Sequence, residues 1–244
     1  MSTQTIYFVT GANRGIGFGL VTALSKRSDV LIFATARDPS KADALNALAR
    51  AKGNVVVVKL ESASEEDAKA AYKVVEEKAG KIDVLIANAG ICECSTPAVA
   101  QTPAEYNRHF EVNALGPVVL FQALHPLLYK SGLPKYLVIS TSLGSLSMAI
   151  PGPYAAYSMS KVAVNYFILK LHQEEEAHKL VTFPVCPGLV ATELGNIGAQ
   201  RMGLKEAPVK VEDTAAGILK LADEATRETR GGKFWSYTGD SIPW

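Results

Sequence analysis

The feature that most constrains this chain is a regular alternation, in which short β-branched or aromatic runs are separated by longer stretches of helical periodicity. The runs are 5–10 (TIYFVT), 30–35 (VLIFAT), 54–60 (NVVVVKL), 83–88 (DVLIAN), 135–140 (KYLVIS), 180–185 (LVTFPV) and 233–239 (KFWSYTG). Near-continuous apolar runs such as VVVV suit strands covered on both faces, and the intervening segments are long enough for the crossovers that parallel pairing requires. Right-handed crossovers then wind the chain into a doubly wound, seven-stranded parallel sheet with helices on both faces. Ligands of such sheets sit beyond the carboxyl ends of the strands, at the point where strand order reverses.

A chain of 244 residues, 48% hydrophobic and 20% charged, can bury a single core without disulfides or a structural metal. No linker, low-complexity tract or repeat divides it, so residues 1–244 read as one α/β domain. Its least regular stretch, 191–211, contains three glycines and a proline and is either a lid over a substrate site or a surface loop. The 25 basic and 24 acidic residues leave a net charge of +1, which gives no electrostatic footprint for nucleic acid or an anionic membrane. The N-terminal MSTQTIYFVTGANRG lacks the pattern of a signal peptide, and no apolar run approaches the roughly 18 residues of a membrane span, so a soluble cytoplasmic protein is expected. Cys92, Cys94 and Cys186 are odd in number and form no CxxC, which argues for reduced thiols rather than disulfides or a zinc ribbon.

The first run leads into Thr10-Gly11-Ala12-Asn13-Arg14-Gly15-Ile16-Gly17 and then a helical pattern. Glycines there let the backbone turn tightly and approach a pyrophosphate, while the amides and positive dipole of the helix N-terminus attract its charge. The spacing is GxxxGxG rather than GxGxxG, and a plain strand-to-helix turn would need no such ligand. Arg37, 20 residues beyond Gly17 and just after the second run, stands where Rossmann-like folds read the adenosine ribose. An acid at that point bonds a 2′-hydroxyl, whereas an arginine accommodates a 2′-phosphate, with Arg14 as a second positive charge. The alternative is a solvated pair between Arg37 and the adjoining Asp38.

Tyr157 and Lys161 stand four residues apart in a helical run, so they share a face. An ammonium beside a phenol favours the phenolate, and bringing a tyrosine from about 10 toward neutrality takes about 3–4 kcal/mol, within reach of a close cation and a charged cofactor. Nine tyrosines and seventeen lysines give about 0.6 chance occurrences of YxxxK, so context must decide. Tyr166 and Lys170 match as well, but within NYFILKL they read as a core-facing ring and a solvated charge. Tyr157 instead follows the hydroxyl cluster Ser140-Thr141-Ser142-Leu143-Gly144-Ser145 at a strand's carboxyl end. Elsewhere, His172 and His178 flank Glu174-Glu175-Glu176 and read as a solvated helix end, and Glu65-Glu66 as a helix N-terminus.

Together these residues resemble the short-chain dehydrogenases/reductases over nearly the whole chain. TGANRGIG is similar to the family's TGxxxGxG loop, Ala87-Asn88-Ala89-Gly90 to its NAG motif and Asn113 to its helix asparagine. Tyr157 and Lys161 match its YxxxK, and Pro187-Gly188 with Thr192 its PG…T segment. TARD after the second strand, Gly144-Ser145 and the C-terminal GGKFWSYTGDSIPW look most like NADPH-dependent carbonyl reductases and fungal ketoreductases.

The resemblance implies a set of roles. NADPH/NADP+ would be held by Gly11, Asn13, Arg14, Gly15, Ile16, Gly17, Arg37, Asn88, Ala89, Gly90, Pro187, Gly188, Val190 and Thr192, with Tyr157 and Lys161. Glu61, where the family usually has an aspartate, is either a contact of the adenine amine or an exposed strand-end acid. Tyr157 would protonate the developing alkoxide, Lys161 would bond the nicotinamide ribose, and a cluster hydroxyl would hold the carbonyl oxygen. Counting back three residues from Gly144 gives Thr141 for that hydroxyl, where the family has serine, with Ser140 and Ser142 as neighbours. Asn113 would connect Lys161 to solvent through water, or else bond a nearby backbone group, and Gly116-Pro117 predicts a helix irregularity beside it.

The expected activity is hydride transfer from NADPH to a ketone or aldehyde. The alternatives are a catalytically silent, dinucleotide-responsive binding or scaffold protein of the same fold, or an imine-reducing or non-redox relative. Apolar residues around Tyr157 favour a bulky, apolar carbonyl substrate, with Arg201 and Lys205 as the exceptions. The family likeness also implies a homodimer or homotetramer built through the helices near 103–129 and 155–177.

Overall fold

The computed structural model describes residues 4–93 and 95–244; Cys94 lies outside the described residues. The chain runs β1 (Thr5–Val9), α1 (Gly15–Leu24), β2 (Val30–Ala36), α2 (Asp43–Lys52), β3 (Val55–Lys59), α3 (Glu65–Lys78) and β4 (Val84–Ala87). It continues through α4 (Pro103–Phe110), α5 (Gly116–Leu128), β5 (Lys135–Ile139), α6 (Ala155–Glu174) and β6 (Val181–Cys186) to α7 (Glu193–Arg201), α8 (Val211–Glu224), β7 (Phe234–Ser236) and β8 (Ser241–Ile242).

Strand order is β3-β2-β1-β4-β5-β6-β7-β8. β1 thus lies between β2 and β4, with Tyr7 opposite both Ile32 and Val84, and the order reverses there. The alternation of side chains along a strand explains why both faces must be covered. Tyr7, Val9, Ile32, Ala34 and Ile86 pack against Leu20 and Leu24 of α1, Leu45 of α2 and Ile218 of α8. Ile6, Phe8, Phe33, Leu85 and Tyr136 turn the other way, onto Val75 of α3, Leu124 of α5 and Ile168 of α6.

The sheet has eight strands among the described residues, not seven, and is not wholly parallel. β8 pairs antiparallel with β7, Phe234 opposite Ile242. The run 233–239 ends as a strand at Ser236 because a turn, with Gly239 at φ +97° and Ser236 N–H donating to Asp240 O at 2.8 Å, sends the chain back. The 191–211 stretch is more regular than its glycine content predicts. Thr192 caps α7, its hydroxyl accepting the Gly195 amide at 3.1 Å, with Glu193 in the first turn and Arg201 in the last. Gly195 is needed in that helix, since a Cβ there would stand 1.8 Å from Val190 O.

Ser64 caps α3 ahead of Glu65 and Glu66, the arrangement their position predicts. Two other readings change. Tyr166 is 63% exposed rather than core-facing, because nine residues from Tyr157 is two and a half turns and brings it to the opposite side of α6. His172 is not at a solvated end but packs beneath Gly231-Gly232, where a Cβ on Gly232 would meet its Cδ2 at 2.4 Å.

Candidate active site

The carboxyl ends of β1 and β4 are tied together by side chains before any ligand is considered. Thr10 Oγ1 accepts the Asn88 and Ala89 amides at 2.9 and 3.0 Å, and Asn88 Nδ2 donates back to the Thr10 and Gly11 carbonyls at 2.9 and 3.2 Å. These bonds draw the strands so close that glycine is compulsory at two positions. A Cβ on Gly17 would stand 2.3 Å from Gly11 O and 2.5 Å from Asn88 Nδ2, and one on Gly11, at φ +62°, would stand 3.0 Å from Ala89 Cα.

α1 begins immediately behind this clamp. Its N-cap, Arg14, makes no side-chain cap bond, so the first amides of the helix have no side-chain acceptor. The PG…T segment closes the other side: a Cβ on Gly15 would meet only Thr192, with Cγ2 at 3.4 Å. Pro187 O accepts the Thr214 hydroxyl at 2.7 Å, Gly188 takes φ +79° against Tyr237 and Val209, and Val190 bridges to Val209. Arg14 forms an exposed ion pair with Glu193 of α7. A narrow cradle of backbone amides and glycines, positive at the α1 end, fits an anionic pyrophosphate.

At the end of β2, Arg37 Nε lies 3.6 Å from Glu61 Oε2, and both side chains are open to solvent. Asp38 does not pair with it; its carboxylate accepts the Ser40 amide at 3.1 Å and the Ser40 hydroxyl at 2.6 Å. Arg37, predicted to meet the 2′-phosphate of an adenosine ribose, and Glu61, read as a contact of the adenine amine or an exposed acid, thus meet each other through an exposed pair worth about 0–1 kcal/mol that a stronger anion can displace.

On the far side of β4, Lys161 is 4% exposed, and its Nζ donates to Ile139 O at 2.8 Å. Burial pushes its ammonium from an ordinary 10.5 down to about 8, an effect that nearby Cys92 only partly opposes. The same Nζ stands 5.9 Å from the centre of the Tyr157 ring. A Cβ on Gly90 would sit 3.1 Å from Asn113 Oδ1 and 3.4 Å from Lys161 Nζ, so both groups converge on the glycine of the NAG motif. Asn113 lies in a π turn, Glu111–Leu115, the irregularity that Gly116-Pro117 predicts. Its amide accepts Ile91 N–H and donates to Ile91 O, each at 2.9 Å, the backbone bonds of the second reading, and also donates to Ser160 Oγ at 3.0 Å.

The hydroxyl cluster separates into distinct environments. Ser140 Oγ is buried and donates to Asn165 Oδ1 at 2.7 Å. Thr141 Oγ1 accepts the Leu143 amide at 3.3 Å, and the Ser142 amide donates to Cys186 Sγ at 3.2 Å. Beyond them, Ser145 Oγ donates to Pro243 O at 2.7 Å and Ser147 N–H to Trp244 O at 3.0 Å, so the C-terminal residues hold the segment leading to α6.

Sequence reasoning missed three residues here. Asn165 lies one turn beyond Lys161, a spacing that could have flagged it. His109 is 1% exposed, accepts Glu93 N–H at Nε2, donates from Nδ1 to Glu105 O, and meets the Tyr157 ring edge-on at 6.5 Å. Gln101 joins α6 to the loop before α4 through bonds that no local pattern announces.

The buried ammonium supplies a prediction independent of catalysis. Between pH 8 and 10.5 the unfolded chain holds a proton on Lys161 that the folded chain has shed, so folded-state stability rises with pH across that window. In Lys161→Met that rise disappears. Denaturant titrations should find the stability of the variant relative to the parent falling by about 3 kcal/mol from pH 8 to 10.5. A difference that stays flat with pH would contradict a desolvated lysine.

Among the described residues there is no cluster of three or more His, Cys, Asp or Glu able to hold a metal, and no helix is long and apolar enough to cross a membrane. Residues 5–201 match the short chain dehydrogenase family model. The chain is 38% identical over 250 residues to norsolorinic acid ketoreductase of Aspergillus parasiticus, covering 99% of this chain and 92% of that protein. Among solved structures it is similar to NADPH-bound carbonyl reductase from chicken fatty liver, with a TM-score of 0.90, 30% identity, and coverage of 99% of this chain and 100% of that one. It is also similar to carbonyl reductase Sniffer of D. melanogaster, with a TM-score of 0.88, 25% identity and the same coverage. Family match, full-length relatives and strand order agree, and the chain belongs to the short-chain dehydrogenase family.

Proposed function

We propose that this protein is an NADPH-dependent reductase that converts a bulky, largely apolar ketone or aldehyde to the alcohol. The observation that carries this reading is the wholly buried Lys161 ammonium, held by Ile139 O beside the Tyr157 ring at the edge of the glycine cradle. A buried cation without a carboxylate partner is costly, and its use is to favour the phenolate form of the adjacent tyrosine. NADPH bound to the chicken carbonyl reductase and the ketoreductase name of the fungal relative support the same assignment.

NADPH, when bound, supplies the hydride. The cradle of Gly11, Ala12, Asn13, Arg14, Gly15, Ile16 and Gly17 would hold its pyrophosphate, with Asn88, Ala89 and Gly90 along one wall and Pro187, Gly188, Val190 and Thr192 along the other. Thr141 would orient the carbonyl oxygen; an oxygen that accepts the Leu143 amide keeps its own O–H for donation. Tyr157 would donate its phenolic proton to that oxygen as the carbonyl carbon gains hydride, leaving a neutral alcohol and a phenolate. Lys161 stabilises that phenolate until solvent restores the proton. Asn113 would keep Gly90 and Ile91 pressed against Lys161, with water at the π turn as the route to solvent.

The apolar preference rests on Leu146, Met148, Leu194, Met202 and Leu204, all large and all at least 43% exposed, in the segment before α6, in α7 and in the segment after it. Arg201 does not stand alone among them: its guanidinium lies 6.0 Å over the Tyr154 ring. Residues 191–211 would form the lid, and α4–α5 and α6 a dimer or tetramer contact.

Arg37 would meet the 2′-phosphate by exchanging Glu61 for it. A charge-assisted contact is worth about 1.5–3 kcal/mol, so Arg37→Ala should weaken NADPH binding by about 10- to 150-fold and leave NADH binding almost unchanged. Fluorescence titration decides, and equal affinity of the unmodified protein for both cofactors would refute the assignment. Turnover of aryl ketones against short keto acids then tests the substrate class: a higher kcat/KM for the acids would overturn the apolar site.

A further inference from the structure

Gln101 is 8% exposed, lies outside every motif described above, and has its side chain committed to three separate pieces of chain. Its Oε1 accepts the Ala156 amide at 2.9 Å, while its Nε2 donates to Thr96 O at 2.7 Å and to Pro153 O at 3.3 Å. The first amides of a helix have no acceptor within the helix, and Tyr154, the N-cap of α6, offers no side chain to them. The Ala156 amide is therefore satisfied from 55 residues away, one position before Tyr157. Thr96 belongs to the segment running from Gly90 toward α4, and Pro153 to the segment running from the hydroxyl cluster into α6. One buried amide group thus fixes the start of the helix that carries Tyr157 against both loops that approach it.

We propose that Gln101 is a positioning residue for the reduction: it holds the first turn of α6, and so the Tyr157 hydroxyl, in register with the carbonyl site, and sets the spacing of the two substrate-flanking loops. This role rests on the reaction assigned to Tyr157 above. The three bonds divide it into separable parts. A glutamate keeps the length and an acceptor for Ala156 but donates to neither carbonyl, while a methionine keeps the length and makes none of the bonds.

Q101M and Q101E are compared with the parent at neutral pH in ketone reduction, NADPH titration and hydrogen exchange of the peptide spanning 153–160. Q101M is expected to lose about 10- to 100-fold in kcat, the scale of an ångström-sized misplacement, with NADPH affinity unchanged and exchange at the first turn of α6 accelerated. Q101E should keep its kcat and its slow exchange while its KM for the ketone rises, because the anchor to Ala156 survives and the loops are released. Parent-like kcat and exchange in Q101M would overturn the proposal. So would a loss of kcat, cofactor affinity and thermal stability in parallel in both variants, which marks a merely structural residue. A parent protein that reduces no ketone would refute the assigned reaction, and the exchange difference between Q101M and Q101E would still decide whether Gln101 anchors the helix.

Discussion

Replacing Tyr157 with phenylalanine is expected to reduce carbonyl turnover by a factor of about 100 or more while NADPH still binds, since general acid catalysis contributes about 10²–10⁴-fold. Phenylalanine keeps the ring and its edge contact with His109 and removes the hydroxyl that carries the transferable proton. The natural control is Tyr166→Phe. It has the same spacing to a lysine, but its ring is 63% exposed on the other side of α6, and Lys170 pairs with Glu174 at 3.2 Å instead of lying buried. Full turnover in the Tyr157 variant, or a loss confined to the Tyr166 variant, would remove the acid from its assigned position.

A comparable loss is expected from Thr141→Val. Removing a donor aimed at a developing oxyanion costs about 2.7–4 kcal/mol, or about 10²–10³ in kcat. Valine preserves the branched shape of threonine and suits the extended backbone at Thr141, giving up besides the donor only the 3.3 Å bond from the Leu143 amide. Ser140→Ala should behave differently: its hydroxyl is spent on Asn165 inside the core, and its loss should lower stability more than turnover. Ser142→Ala is the informative rival. If steady-state kinetics find the larger fall in kcat there, the carbonyl oxygen is held one residue later and the rest of the chemistry stands.

What was legible in the sequence is what short-range patterns encode. The near-continuous apolar runs of β1 and β2 show in the string that both faces are covered, while which residues face α1 and which face α5 is seen only in the packing. The glycine loop is legible for the same reason, because the positive φ of Gly11 and Gly15 is a local demand that few other residues meet. β8 was not legible: Ser241–Ile242 is too short to show a period, and its direction is set by the turn before it. α7 was hidden by Gly195 and Gly198, which depress helix propensity, although Thr192 and Glu193 mark its start.

Within the site, the side chains that sequence reasoning singled out are those with an informative context, Tyr157 with Lys161 above all, since YxxxK occurs twice and only this pair follows the hydroxyl cluster. Those it missed act through distance along the chain. Gln101 reaches Ala156 over 55 residues, and Asn165 reaches Ser140 over 25. Arg37 was read as facing a cofactor phosphate or pairing with Asp38; its exposed partner in the structure is Glu61 and not Asp38, a pairing that requires knowing that β2 and β3 are neighbours.

Every role assigned to Thr141, Tyr157 and Lys161 depends on hydride transfer between a nicotinamide and a carbonyl carbon. The direct measurement incubates the purified protein with an aryl ketone and NADPH carrying deuterium on one face of its reduced ring, and reads the alcohol by mass spectrometry. Deuterium on the carbinol carbon from one labelled face and not the other, formed about 100-fold or more slowly in Tyr157→Phe, is the predicted result. NADPH that binds but is never consumed, or an alcohol without label from either face, would contradict it.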